Sequence, residues 1–190
     1  MKNSIVILAV AALIAGFSGK TMAQDNGTAG HAINYTLPSM HIMNLQNTVA
    51  KPVLTFAAPA TAGAKIAAVT NELSWINVTS IITTGKTKTI QVSRTGTIPA
   101  GTTLTVIAAA ASANGNGSFG TPVGTAVDVT TTGTGQDLIT GIGSCWTDAG
   151  VGMGYKLTYN WSVDAAYATG LVAAASATAV TLTYTISETL

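Results

Sequence analysis

Few residues in this chain could do covalent chemistry, and Cys145 is the first to weigh. It is the sole cysteine and stands in Gly143-Ser144-Cys145-Trp146, inside the stretch Gly141 to Gly154. A thiol becomes a nucleophile as its thiolate, which calls for an imidazole to take the proton and is helped by a helix N-terminus. The chain has 2 histidines, His31 and His41, and both lie far upstream of Cys145. The segment that follows, Asp148-Ala149-Gly150-Val151-Gly152-Met153-Gly154, is too rich in glycine to sustain a helix. These residues predict a small buried hydrophobe that plugs one end of the fold together with Trp146. A lone thiol in an exported chain is also a candidate for an intermolecular disulfide, and Cys145 is the residue that would form it.

Other constellations are weaker. Gly150-x-Gly152-x-Gly154 lacks the following helix and the Lys-Ser/Thr pair of a phosphate loop. Asp128, Asp137, Asp148 and Asp164 are dispersed and build no calcium loop. His31 and His41 have no carboxylate or thiol near them in sequence. The expectation is a protein with no catalytic residue, no metal and no cofactor. Saccharide binding needs exposed rings beside amides. Tyr155, Tyr159, Trp161 and Tyr184 fall on alternating apolar faces and are expected in the core. Trp146 and Tyr167 lie outside those alternations and are the candidate ligand contacts.

The elements that must carry these residues are strands. Tyr155, Leu157, Tyr159, Trp161 and Val163 alternate with Lys156, Thr158, Asn160 and Ser162, and Val180, Leu182, Tyr184 and Ile186 alternate with polar neighbours. Period two means one buried face and one wet face. Further strands are predicted around Ile33-Tyr35-Leu37, Leu54-Phe56, Leu73 to Ile82, Lys86 to Arg94, Leu104-Val106-Ala108 and Val127-Val129. Turn signals such as Pro99-Ala100-Gly101 and Asn114-Gly115-Asn116-Gly117 separate them. Lys86, Lys88 and Arg94 share a parity with Ile90 and Val92, and charges so placed predict an edge strand. Thr140 to Gly154 reads as a long glycine-rich loop between a short strand and the strand from Tyr155. One short helix is plausible, Ala165-Ala166-Tyr167-Ala168, with Asp164 as its cap. The fold class is all-β: a single antiparallel β-sandwich of Ig-like or Greek-key type with at most one short helix.

Composition and the N-terminus bear on location. Lys2, the apolar run Ile5 to Ala15 and the small residues Thr21 and Ala23 read as a signal peptide, residues 1–23, cleaved after Ala23. Residues 24–190 are then one exported domain, periplasmic, secreted or at the cell surface, with no further membrane span. Charged residues make up 8% of the chain, well under the usual quarter. Without Lys2 and Lys20, six basic residues face seven acidic ones, and no basic patch attracts nucleic acid.

Several stretches carry a resemblance: Leu73-Ser74-Trp75-Ile76-Asn77-Val78-Thr79-Ser80, Ile98-Pro99-Ala100-Gly101-Thr102-Thr103-Leu104, Thr140-Gly141-Ile142-Gly143-Ser144, Leu157-Thr158-Tyr159, and Val180 to Ile186. Together they resemble an uncharacterised group of secreted β-sandwich proteins of Bacteroidota and, more loosely, fimbrial and pilin-like subunits. The disulfide pair of chaperone–usher pilins is missing, and the chain ends Ser187-Glu188-Thr189-Leu190 without their tyrosine. Gly143-Ser144-Cys145-Trp146 also resembles the catalytic-cysteine motif of papain-like proteases, with Ile142 in place of that motif's first cysteine and no partner histidine downstream. The first resemblance implies a non-enzymatic structural or adhesive surface protein, a fibre or pilus subunit whose partners are copies of itself or other surface proteins. Ile33, Tyr35 and Leu37 would then form a donor strand. The alternative is a secreted carbohydrate-binding module with glycans as its partners.

Overall fold

The computed structural model describes residues 30–131, 133–164, 171, 173 and 179–189. The chain divides into two units, Met1–Thr36 and Leu37–Leu190. Of the first, Gly30 to Thr36 is described; it forms no strand and every residue is exposed. The predicted signal peptide and the candidate helix with Tyr167 lie outside the described residues.

The second unit is all-β. Its strands in chain order are β1 (Met40–Asn47), β2 (Val69–Ile81), β3 (Thr87–Thr95), β4 (Thr102–Ala111), β5 (Asn116–Gly117), β6 (Thr121–Pro122), β7 (Val127–Asp128), β8 (Gln136–Ile142), β9 (Cys145–Trp146), β10 (Tyr155–Val163) and β11 (Thr181–Thr189). They form two antiparallel sheets. Sheet A runs β5-β9-β2-β10-β4-β7 with β1 also on β2, and sheet B runs β11-β3-β8-β6. β1 and β10 both pair with Ser74, Trp75 and Ile76, so they lie on opposite sides of β2. β1 is therefore one margin of sheet A. β9 pairs with Thr79 and Ser80 on the β10 side. Spatial neighbours are mostly distant in sequence, as in Greek-key sandwiches.

Alternation explains the packing. Ile76, Val78, Leu104, Val106, Tyr155 and Leu157 of sheet A meet Ile90, Val92, Leu138, Ile139 and Ile142 of sheet B in one buried cluster. Each such side chain contributes about 1.5–3 kcal/mol by leaving water. The outer positions of β10 and β11 are polar and more exposed, as the pattern requires.

Some expectations need correction. β1 is a strand the alternation did not reveal. His41, Met43, Leu45 and Asn47 pair with the inward residues Ser80, Val78, Ile76 and Ser74, while Met40 and Ile42 point outward, so apolar residues fall on both faces and erase the period. Ile33 to Leu37 and Leu54 to Phe56 lie in no strand; Leu54 instead packs on the core and Phe56 stacks on Trp161 with ring centroids 4.0 Å apart. β3 is not an edge. It lies between β11 and β8, and its charges are spent inside the molecule. Arg94 donates from Nε to Val129 O at 2.6 Å and from Nη2 to Thr130 O at 3.1 Å, which satisfies buried carbonyls in the loop after β7.

Candidate functional site: the seam and the glycine-rich loop

The predicted loop Thr140 to Gly154 is more structured than its composition suggests. β8 extends through Ile142, and Cys145-Trp146 is itself the short strand β9, clasped between β2 and β5. Glycine permits this. A Cβ on Gly117 would stand 2.2 Å from Ser144 O, and one on Gly154 would stand 2.1 Å from Ile76 O. Both glycines also take positive φ, 104° and 69°, where L-residues are strained. After β9 the chain rises over the outer face of sheet A. Asn77 pins it there, donating from Nδ2 to Met153 O at 2.7 Å and accepting from Gly150 N at 2.9 Å. Gly117 and Gly154 thus serve close backbone contact, and a strand, β10, follows the glycine-rich segment.

Cys145 is free and buried, and burial pushes its thiol pKa up. A raised pKa is the reverse of what a nucleophile needs. Its backbone lies against Gly117, so a second thiol cannot reach Cys145 for the predicted intermolecular bond unless the β5–β9 margin lifts. Trp146 does not plug the sandwich. It points outward and is 51% exposed, because successive strand residues face opposite ways.

A different region gathers the polar and apolar groups that the sequence left scattered. It is the seam where β1 of sheet A meets β11 of sheet B. At one end Lys88, with 2% of its side chain exposed, reaches from β3 to Ser39 Oγ at 3.2 Å, His41 Nδ1 at 3.4 Å and Glu188 Oε2 at 3.6 Å. Ser39 Oγ also donates to Glu188 Oε2 at 3.1 Å. One buried ammonium thus ties both margins together. Further along, the hydroxyls of Tyr159 and Tyr184 meet at 3.0 Å across the sheets, and burial pushes both pKa values up.

Between these ties the seam is not filled. A cleft of about 180 Å³ is lined by Leu45, Leu54, Leu104, Val180, Leu182 and Tyr184, among others. A cavity of about 150 Å³ holds one benzene-sized ring, so this space suits a single large side chain. Asn47 also lines it, and its buried Oδ1 has no hydrogen-bond partner among the described residues. An unpaired buried acceptor costs about 1–3 kcal/mol. Among the described residues β1 pairs only with β2, and β11 only with β3, so each presents one unpaired backbone edge at the seam. The donor-strand candidates Ile33, Tyr35 and Leu37 are 73%, 91% and 70% exposed. The sequence pattern does not locate this cleft, because its walls come from β1, β4, β10 and β11 of two different sheets. The usable signal was the buried parity of Lys88.

Among the described residues no three His, Cys, Asp or Glu side chains are grouped to hold a metal, and no helix is long and apolar enough to cross a membrane. What the fold and the seam define is a class: an antiparallel β-sandwich with an open apolar seam. Comparison with protein-family models, curated proteins and solved structures finds no significant match.

Proposed function

We propose that this chain is an exported structural or adhesive surface protein that assembles into fibres by passing the N-terminal arm of one copy into the seam of another. The observation that carries this reading is the apolar cleft between two unpaired strand edges, with an unpartnered acceptor, Asn47 Oδ1, in its wall. An extended segment added there would gain backbone hydrogen bonds from a sheet edge and bury alternate side chains. The arm has the matching chemistry: Ile33, Tyr35 and Leu37 at period two, separated by Asn34 and Thr36. Exposing three such residues to water costs free energy that an acceptor would recover, at about 25 cal/mol per Å² covered.

Electron microscopy of the mature protein, Gln24 to Leu190, tests this. Filaments are expected, and they should vanish when Gln24 to Pro38 is deleted. Unaffected filaments in the deletion, or none in the parent protein, would remove the reading. A sharper check pairs Leu37→Cys with Leu182→Cys in a Cys145→Ser background. Oxidation should give a ladder of covalent oligomers, and a monomer band alone counts against the arrangement.

A further inference from the structure

We propose a second binding site, independent of the arm: a saccharide site on the outer face of sheet A, in the depression between β1, β2 and the chain after β9, with Trp146 on the strand beside it, taking a neutral glycan.

The register builds it. Ile42 pairs with Thr79, Thr79 with Trp146, and Trp146 with Asn116, so one row of outward side chains crosses β1, β2, β9 and β5. The next row holds Asn44 opposite Asn77. Beside it the chain after β9 climbs over the sheet, and the two together enclose a depression of about 260 Å³ lined by Ile42, Asn44, Asn77, Thr79, Asp148 and Ala149, with Val78 in the floor. That is larger than the space that holds one benzene, and it accommodates a sugar ring.

The chemistry fits a polyol. Trp146 is half exposed at the margin of a sheet, and an indole face takes the C–H face of a pyranose by burial and dispersion. The depression beside it holds groups that bond hydroxyls: the Thr79 hydroxyl, the Asn44 amide and the Asp148 carboxylate. The Asn77 amide is already committed to Met153 O and Gly150 N, so it holds the loop wall in place and leaves recognition to the other three. A few polar groups against an apolar surface is the composition of a small-ligand site.

Asp148 adds an independent sign. It is the one non-glycine residue with positive φ, 61°, among the described residues. Such a conformation costs about 1–3 kcal/mol and persists where the surroundings impose it. It stands at the rim of the depression, between the buried Thr147 and the pinned loop. No basic side chain lines the depression, and Asp148 would repel an anion, so the ligand is a neutral or N-acetylated sugar and not a sialylated or sulfated one.

The test uses the mature protein on an array of gluco-, galacto-, manno-, xylo- and N-acetylglucosamine oligosaccharides, with sialylated and sulfated glycans as the counter-set, followed by calorimetry on any hit. At least one neutral class should bind. Trp146→Ala should weaken it about tenfold or more and Asp148→Asn several-fold, both with a cooperative melt retained, since Trp146 is half exposed and Asn tolerates the left-handed backbone of Asp148 as Asp does. Deleting Gln24 to Pro38 should leave binding intact, which separates this site from the assembly reading. The proposal falls if no neutral glycan binds at millimolar concentration, if only anionic glycans bind, or if Trp146→Ala binds as the parent does. It also falls if the array is silent and Trp146→Ala instead abolishes self-association in sedimentation.

Discussion

Two margins of sheet A, at β1 and at β5, are finished in opposite ways. At the β5–β9 margin backbone lies against backbone. A Cβ on Gly115 would come 2.0 Å from Trp146 O, and one on Gly117 2.2 Å from Ser144 O. At the β1 margin the gap to sheet B is spanned by side chains, namely Lys88, Tyr159 and Tyr184, and a cleft remains between them. Close backbone contact leaves no space for a guest and tolerates no added atom. Side-chain ties can hold two edges in position while leaving room for a third strand. The difference separates a margin that is shut from one that is open.

The strongest way to break this contrast is to add atoms at the shut margin. Gly117→Val should cost about 3–5 kcal/mol, since the new side chain meets backbone and cannot relax. Gly141→Ala is the control. Its φ is also positive, 70°, but nothing stands within 4 Å of the added carbon, so only backbone strain of about 1–2 kcal/mol remains. Urea midpoints for the two variants measure the difference. Equal losses would mean that strain and not contact closes the margin.

Next in size is Lys88. Lys88→Ala removes the buried ammonium, strands Ser39 and Glu188 at the seam, and leaves a void, at a cost of about 3 kcal/mol. Lys88→Met keeps the volume and drops the charge. Glu188 is 37% exposed and can take up water once the ammonium is gone, so the loss should be smaller, about 1 kcal/mol. If both variants lose the same, the packing of the Lys88 stem adds nothing to the ionic tie.

How much of this could be read beforehand follows from the same contrast. β10 and β11 were legible because one face is buried and the other wet, so residue type alternates with residue number. β1 was not legible, since Ile42 and Leu45 occupy opposite faces. Ile42 is exposed at 67% on the outer face that carries Trp146, and it breaks the pattern. The parity of Lys88 with Ile90 and Val92 does mark an inward side chain, but it does not mark an edge, since β3 lies between β11 and β8. An inward lysine can protect an edge, and it can also cross the core to pair with another strand; only three-dimensional placement distinguishes the two. Cys145 and Trp146 were adjacent letters in a supposed loop. As neighbours on a strand they face opposite ways, which buries the thiol and exposes the indole.

The tyrosine pair sharpens the comparison through pH. Burial first, and each other's charge for Tyr184, holds both phenols above their ordinary pKa. A group whose pKa is raised by folding keeps its full contribution below its unfolded value, near about 10, and loses it as pH climbs above that. The folded protein should therefore weaken from about pH 10 upward. Tyr184→Phe should lose about 1 kcal/mol at neutral pH, from the bond to Tyr159, and should show a shallower decline in alkali. Chemical denaturation at pH 8, 10 and 11 measures both slopes. An identical alkaline slope in the variant would assign the weakening elsewhere; Cys145, whose thiol is also raised by burial, is the group to replace next.

The smallest expected effect on stability is the most telling for function. Ile33→Ser, Tyr35→Ser and Leu37→Ser together alter only exposed side chains, so the monomer's urea midpoint should shift by no more than about 0.5 kcal/mol equivalent. Assembly should nonetheless collapse, because the arm would lose every apolar side chain it offers to the cleft and to the strand edges beside it. Changing Asn34→Ser instead leaves the apolar parity intact and should leave assembly intact. A triple variant that assembles normally would show that the open margin serves some other guest. One that unfolds would show that the arm already belongs to its own sandwich. Stability and assembly must respond separately for the contrast between the two margins to carry the function proposed.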